Sequence, residues 1–264
     1  MKKYYARKLI TIAIATSFYL PASFVNADGY NAMNHDMHND AHNEELMHDH
    51  GDNPLITKVM FDQLETHDSN DASLIQAQAW IGKDLNKFWL KANVEKSEGE
   101  KNEGKTEETE IQALYSHAIA TYWDAQIGVR KDLKPTPSRT WGVLGVQGLA
   151  PYFFNVDAAL FFGDENRTAA RVSVEYDLLF TQRLILSPEI EINIYGQNDA
   201  QTATGSGLSE AKAGLRLRYE IRREFAPYVG INWNKKFGAT ADFAQANKEA
   251  VSDTSLVAGI RIWF

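Results

Sequence analysis

Residues 184–195 read LILSPEIEINIY, and this stretch decides the fold. Polar and apolar side chains alternate along it, so that one face carries Leu186, Pro188, Ile190, Ile192 and Ile194 and the other carries Ser187, Glu189, Glu191 and Asn193. A period of two residues indicates a β-strand with one apolar face. Strands of soluble proteins usually have about five or six residues, whereas a tilted strand needs about 9–11 to cross a bilayer. The stretch is long enough to cross.

The same alternation recurs along the chain, in residues 75–81, 88–95, 171–180, 210–220 and 256–264. In several of these segments the polar face carries acidic and basic side chains together, as in Arg216, Arg218 and Glu220. A soluble sheet protein would turn that ionic face to water, whereas a membrane barrel would turn it to the lumen and its apolar face to lipid. Alternation alone does not separate these two arrangements.

The connections between the alternating segments favour the membrane barrel. Short links at 82–86, 120–121, 149–151, 181–183 and 222–225 alternate with longer polar ones at 96–106, 132–138, 163–166, 197–209 and 238–253. Tight turns at one end and longer loops at the other are typical of outer-membrane barrels. About eleven strands follow Leu74, and a chain with both ends on one side needs an even number. Residues 55–66 supply the missing strand, so the sequence predicts an all-β fold, a transmembrane antiparallel β-barrel of about twelve strands over residues 54–264.

Tryptophan and tyrosine would supply the aromatic girdles of such a barrel at its two membrane interfaces. No stretch after residue 27 is apolar for eighteen residues, which excludes a transmembrane helix. The candidate girdle residues are Trp80, Trp89, Tyr115, Tyr122, Trp123, Trp141, Tyr152, Tyr219, Tyr228, Trp233 and Trp263.

The first 53 residues differ in character from the rest. A basic start, the apolar run LITIAIATSFYL and the small residues at 25–27 predict a secretory signal peptide over residues 1–27. The apolar run is too short for an uncleaved membrane anchor. Residues 28–53 are rich in Asn, Asp, His and Met and poor in residues that pack, which predicts a disordered tail.

The charge of the chain excludes one class of partner. The full chain carries −8, and removing residues 1–27 removes four positive charges and leaves −12. A chain of this negative charge has no electrostatic attraction for nucleic acid. It does attract cations. The chain contains no cysteine, so it has neither disulfides nor thiolate metal ligands.

Residues 33–50 read MNHDMHNDAHNEELMHDH and hold five of the seven histidines and three of the five methionines. Cu(I) prefers thioether sulfur, and Cu(II) prefers imidazole. The tail is therefore predicted to bind copper, with zinc and nickel as competitors and a solvated polar linker as the alternative. The candidate ligands are Met33, Met37 and Met47 for Cu(I) and His35, His38, His42, His48 and His50 for Cu(II).

Five segments carry a resemblance to a known family: ALYSHAIATYWDAQIGVR (113–130), VLGVQGLAPYFFNVDAALF (143–161), EYDLLFTQRLILSPEIEIN (175–193), GSGLSEAKAGLRLRYEIRREFAPYVGINWNKKFG (205–238) and VSDTSLVAGIRIWF (251–264). They closely resemble the copper resistance protein B family of bacterial outer-membrane proteins, over roughly residues 54–264. The resemblance implies a location in the outer membrane and a role in copper tolerance. The Met- and His-rich extension typical of that family matches residues 33–50 in composition, not position by position.

The resemblance and the tail together predict a protein that captures periplasmic copper for sequestration or export, with the tail in the periplasm. Its partners would be copper ions, as Cu(I) or Cu(II) or both, outer-membrane lipid and periplasmic copper-handling proteins. A general porin with an incidental His-rich tail is the alternative. The sequence predicts no enzyme, since it has no GxSxG or HExxH motif.

The barrel itself offers weaker candidates. Met60, His67 and His117 could form a second copper site, although packed or rim residues are the simpler interpretation. Ser116 and His117 adjoin on a strand and would face opposite sides, so they cannot be a nucleophile and its base. Ser173 could still meet His117 across strands. The ionic rows are most simply a salt-bridged lumen that partly plugs the pore.

Overall fold

The computed structural model describes residues 53–68, 72–98 and 104–264, without the side chains of residues 97–98 and 104–107. The predicted signal peptide, all of the predicted tail except Asn53, and the eight candidate copper ligands at residues 33–50 lie outside the described residues.

The described chain is built almost wholly of strands, as predicted. They are β1 (Ile56–His67), β2 (Ser73–Gly82), β3 (Asn86–Glu98), β4 (Gly104–Ala120), β5 (Trp123–Lys134), β6 (Arg139–Ala150), β7 (Phe154–Gly163), β8 (Thr168–Glu175), β9 (Leu178–Leu179), β10 (Leu184–Tyr195), β11 (Gly207–Tyr219), β12 (Phe225–Lys236) and β13 (Ser252–Trp263). One α-helix, α1 (Gly238–Ala246), lies within residues 238–253, which were predicted to be a loop. No helix among the described residues is long and apolar enough to cross a membrane.

The strands close into a barrel because β13 pairs antiparallel with β1, which leaves no open edge between the two ends of the sheet. β8 and β9 form one spanning strand, since β10 pairs with both in a single register. The break falls opposite Pro188, whose oxygen accepts from the Tyr176 N–H at 3.1 Å but which has no N–H to donate in return. The barrel therefore has twelve spanning strands, and the predictions of twelve and of a first strand at 55–66 are confirmed.

The two faces of each strand differ as the alternation predicts. In β3, Phe88 and Leu90 are 52% and 48% exposed, whereas Trp89 between them is 6% exposed. In β10, the isoleucines at 190, 192 and 194 are exposed, and Asn193 is buried. The ionic side chains lie on the inner face and an apolar band lies on the outer one, which is the distribution expected of a membrane barrel.

The barrel has two distinct ends. The turns at 83–85, 121–122, 151–153, 180–183 and 220–224 lie at one end, here called the short-turn end, together with the start of β1 and with Phe264. Asn53 lies there too, since its Oδ1 accepts from the Asp84 N–H at 3.1 Å. The segments 135–138, 164–167, 196–206 and 237–251 lie at the opposite, loop end. The first two of these have four residues each, so loop length alternates less than the sequence predicted.

The inner face also contains an apolar cluster that the sequence reasoning missed. It lies on β3 to β8 and consists of Trp89, Leu114, Trp141, Val143, Phe161 and Ala169. Its presence corrects the girdle prediction, because Trp89 and Trp141 are buried inside the barrel and so is Tyr228 on β12. Trp80 packs against the cluster and also lies on the inner face. Tyr115, Tyr122, Tyr152 and Tyr219 are exposed and remain available to the interfaces.

Candidate functional site

The lumen is crossed by an ion-pair network centred on Arg216, which β11 turns inward. Its Nε and Nη2 donate to the two carboxylate oxygens of Glu65 on β1 at 3.0 and 3.1 Å. Its Nη1 donates to Glu189 Oε2 on β10 at 2.8 Å, and Nη2 also donates to Gln63 Oε1 at 3.2 Å. The Glu65 side chain has no solvent exposure. A fully buried carboxylate needs such charged and hydrogen-bonding partners to be stable.

A glycine allows a fourth strand to join this network. Tyr228 on β12 pairs with Gly259 on β13, and Gly259 pairs in turn with Glu65 on β1. A Cβ atom at position 259 would lie 2.5 Å from the Tyr228 phenol, which is too close for any side chain. The phenol therefore lies across the glycine, and its hydroxyl donates to Glu65 Oε2 at 3.1 Å.

A second ionic layer lies nearer the loop end. Arg171 on β8 donates from Nη1 and Nη2 to the two oxygens of Glu110 on β4, both at 3.0 Å. Arg130 on β5 reaches the same carboxylate at 2.8 Å and also pairs with Asp132 at 2.7 Å. Both guanidinium groups lie over the ring of Phe161, at 4.6 and 5.7 Å from its centroid. The apolar cluster thus supports the ionic layer through cation–π contacts.

Ionic side chains separate two cavities of the lumen. The larger, of about 550 Å³, extends toward the short-turn end, and the smaller, of about 360 Å³, toward the loop end. Glu110 and Arg171 line both, so their ion pair lies between them. The larger cavity is lined by six acidic and five basic side chains, and the smaller by seven of each. Neither cavity carries the excess of one sign that would attract cations or anions strongly.

The loop end of the lumen is covered by segment 196–206 and α1, which both line the smaller cavity. Asp199 in that segment accepts two hydrogen bonds from Arg139, at 3.0 and 2.9 Å, and pairs with Arg167 at 3.6 Å. Partial burial acts to raise the pKa of Asp199, but the hydrogen bonds and positive charges outweigh it and hold that pKa below its ordinary value. Thr240 Oγ1 of α1 accepts from the Gly205 N–H at 2.8 Å, which fixes the helix to the segment.

The three barrel residues that could have formed a second copper site do not come together. Met60 faces the larger cavity. His67 lies toward the loop end, with Nε2 3.1 Å from Glu65 Oε1 and Nδ1 3.1 Å from Ser255 Oγ. His117 lies on the outer face near the short-turn end, with Nδ1 2.8 Å from Asn86 Oδ1. These three side chains therefore do not form a joint copper site. The described residues also contain no group of three His, Cys, Asp or Glu side chains arranged to hold a metal ion.

The serine and histidine pairs considered from the sequence do not form either. Ser116 is buried and donates to Asp124 Oδ2 at 3.1 Å, whereas His117 beside it is exposed on the outer face. Ser173 lines the larger cavity, so the barrel wall separates it from His117. Neither serine has this imidazole as a base.

Comparison with known proteins adds a family and a fold. The family model described as copper resistance protein B precursor matches residues 55–264. A copper resistance protein B homolog of Pseudomonas syringae pv. tomato is 46% identical over 81% of this chain and 71% of its own length. Copper resistance protein B of Escherichia coli is 44% identical over the same shares. The NanC porin structure has a TM-score of 0.51 at 10% identity, over 78% of this chain and 99% of the porin, which is a likeness of fold alone.

Proposed function

Because the chain belongs to the copper resistance protein B family, with an outer-membrane barrel fold and a role in copper resistance, we propose that it captures periplasmic copper through residues 33–50. The observation that carries the proposal is the concentration of thioether and imidazole side chains in those residues, directly before a barrel of this family. The captured copper is held at the outer membrane, for sequestration or for export.

The ligand types in the tail suit both oxidation states of copper. Met33, Met37 and Met47 offer soft sulfur to Cu(I), and the five tail histidines offer imidazole to Cu(II). Residues 28–52 contain acidic side chains and no Lys or Arg, so their charge attracts cations. Thioethers contribute little to zinc sites, which favours copper over zinc. The absence of cysteine keeps the affinity moderate, as a protein that later hands copper on requires.

The lumen supports capture over general diffusion. Ion pairs between non-adjacent strands extend into it at Arg216 and at Arg171, and α1 covers its loop end. A general porin instead keeps a continuous aqueous channel. The proposed role is binding, and the barrel wall separates Ser173, which faces the lumen, from His117 on the outer face. Periplasmic copper-handling proteins would be the donors or recipients of the metal.

A variant of the full chain tests the proposal in cells. In cells that lack this protein, the wild-type chain should restore copper tolerance. A variant with leucine at the three methionines and alanine at the five histidines should not. The matched control changes Asn34, Asn39 and Asn43 to serine, which alters the same segment without removing a ligand, and should retain tolerance. Equal tolerance with the eight-residue variant would refute the proposal.

The porin alternative is tested on the same proteins in planar bilayers. The proposal predicts little steady conductance through the wild-type barrel, because the ion pairs cross its lumen. A large ohmic conductance that is unchanged when residues 28–53 are deleted, together with unchanged copper tolerance, would instead support a general porin.

A further inference from the structure

Met60 is the only methionine after residue 47, and the chain has no cysteine, so it provides the only sulfur atom of the barrel. It lies on β1, four residues after the strand begins at the short-turn end, and it lines the larger cavity. A methionine on a barrel strand could equally face lipid, where exposure of its apolar side chain costs no free energy. Here it faces the lumen, on the side at which the tail joins the barrel.

Two indole rings lie on the same part of the lumen wall as this thioether. Met60 pairs with Gln78 on β2, so Trp80, two residues further on the same face, is its diagonal neighbour at a distance that side chains span. Trp80 pairs with Trp89 on β3, with ring centroids 5.9 Å apart, and both Met60 and Trp80 pack against the buried cluster that contains Trp89. The three side chains form one patch of the lumen wall.

The indole faces of this patch already attract cations. The Lys87 ammonium lies 5.9 Å from the Trp80 centroid, and the Lys91 ammonium lies 5.8 Å from that of Trp89. The buried Trp89 indole nitrogen has no hydrogen-bond partner among the described residues. A ring face attracts cations electrostatically through its quadrupole, and a thioether is a soft donor that prefers a soft metal ion.

We propose that Met60, with the ring faces of Trp80 and Trp89, forms a weak lumenal site for a soft monovalent cation, with Cu(I) as the cargo. The identity of the metal rests on the function proposed above. One thioether and two ring faces bind far less tightly than a set of three or four ligands, so the site holds Cu(I) briefly, after the tail has captured it. The larger cavity then accepts copper from the tail.

The site can be observed through the methionine methyl groups. The full chain is labelled with ¹³C at the methionine methyls, and Ag⁺ serves as a soft cation that does not change oxidation state. The Met60 resonance is assigned by its disappearance in Met60→Leu, a change of similar volume that the barrel tolerates. We expect the Met60 methyl to shift saturably with Ag⁺, also in a chain whose Met33, Met37 and Met47 are leucine. Zn²⁺ should leave it unmoved.

The indole contribution has its own test. Cation–π contacts contribute about 0.5–2 kcal/mol, so Trp80→Leu should weaken Ag⁺ binding at the Met60 methyl by roughly two- to thirtyfold. The tail methyls report independently on the tail. If they shift and Met60 does not, the lumenal site is refuted while the proposed function stands; if no methionine methyl shifts, both fail for Cu(I). A Met60 shift equal for Ag⁺ and Zn²⁺ would also refute the site.

Discussion

Replacing Arg216 by methionine should destabilise the barrel more than any change at an exposed ion pair. The guanidinium donates four hydrogen bonds of 2.8–3.2 Å to Glu65, Glu189 and Gln63, and the Glu65 carboxylate has no solvent exposure. Methionine matches the length of the arginine stem and offers no donor. The change leaves a buried carboxylate without its cation, which costs about 3–5 kcal/mol.

Urea unfolding of the protein in detergent micelles, followed by tryptophan fluorescence, measures this loss. The matched control is Glu165→Gln, because Glu165 pairs with Arg167 but is 74% exposed, and we expect it to cost less than about 0.5 kcal/mol. Adding Glu65→Gln to the Arg216 variant should recover part of the loss, since the uncompensated charge is then removed. A cost for Arg216→Met within about 0.5 kcal/mol of the control would refute the buried network.

Three further predictions concern Gly259, Asp199 and the tail histidines. Gly259→Val should displace the Tyr228 phenol from Glu65 and cost about 1–3 kcal/mol in the same unfolding assay. Asp199→Asn should weaken the cover over the loop end, measured as faster hydrogen exchange in segment 196–206. Because folding lowers the pKa of Asp199 below 3.8, its stabilising effect should be complete above that pH and disappear as pH falls through the lower folded value. Cu(II) binding by the tail histidines should weaken as pH falls through about 6.5, whereas Cu(I) binding by the methionines should not, in competition titrations.

Each of these predictions has a clear contrary result. Wild-type stability in the Gly259 variant would show that the phenol does not need the space above the glycine. An exchange difference between wild type and Asp199→Asn that does not decrease at any pH below 3.8 would show that the carboxylate charge is not the cause. Cu(II) affinity that is independent of pH between 5 and 8 would exclude imidazole as its ligand.

Most of the fold could be predicted from the sequence because lipid and lumen impose opposite demands on alternate residues. In β10 and β11 those demands are met by isoleucine and leucine outside and by Glu189 and Arg216 inside, so the period of two is unmistakable. The interruption between β8 and β9 was not predicted, since it depends on which residue lies opposite Pro188. Register across strands is a property of the pairing and not of one segment.

The lumenal apolar cluster was missed for a related reason. In β6, Trp141 and Val143 point inward while Leu144 and Val146 point outward. Because both faces are apolar, the sequence pattern does not indicate which residues face the lumen. The consecutive apolar residues Phe88, Trp89 and Leu90 were the available signal. The partners within the ion-pair network could not be found either, because Arg216 and Glu65 are 151 residues apart and meet only when the barrel closes.

Copper binding by the full-length chain is the most direct test of copper capture by residues 33–50. Equilibrium dialysis of the detergent-solubilised protein, with copper kept as Cu(I) by a reductant or as Cu(II) without one, gives the amount bound in each state. Leucine at the three tail methionines should abolish most Cu(I) binding and spare Cu(II), and alanine at the five histidines should do the reverse. Copper binding that stays at the wild-type amount when both sets of changes are combined, or a preference for zinc over both copper states, would contradict the account.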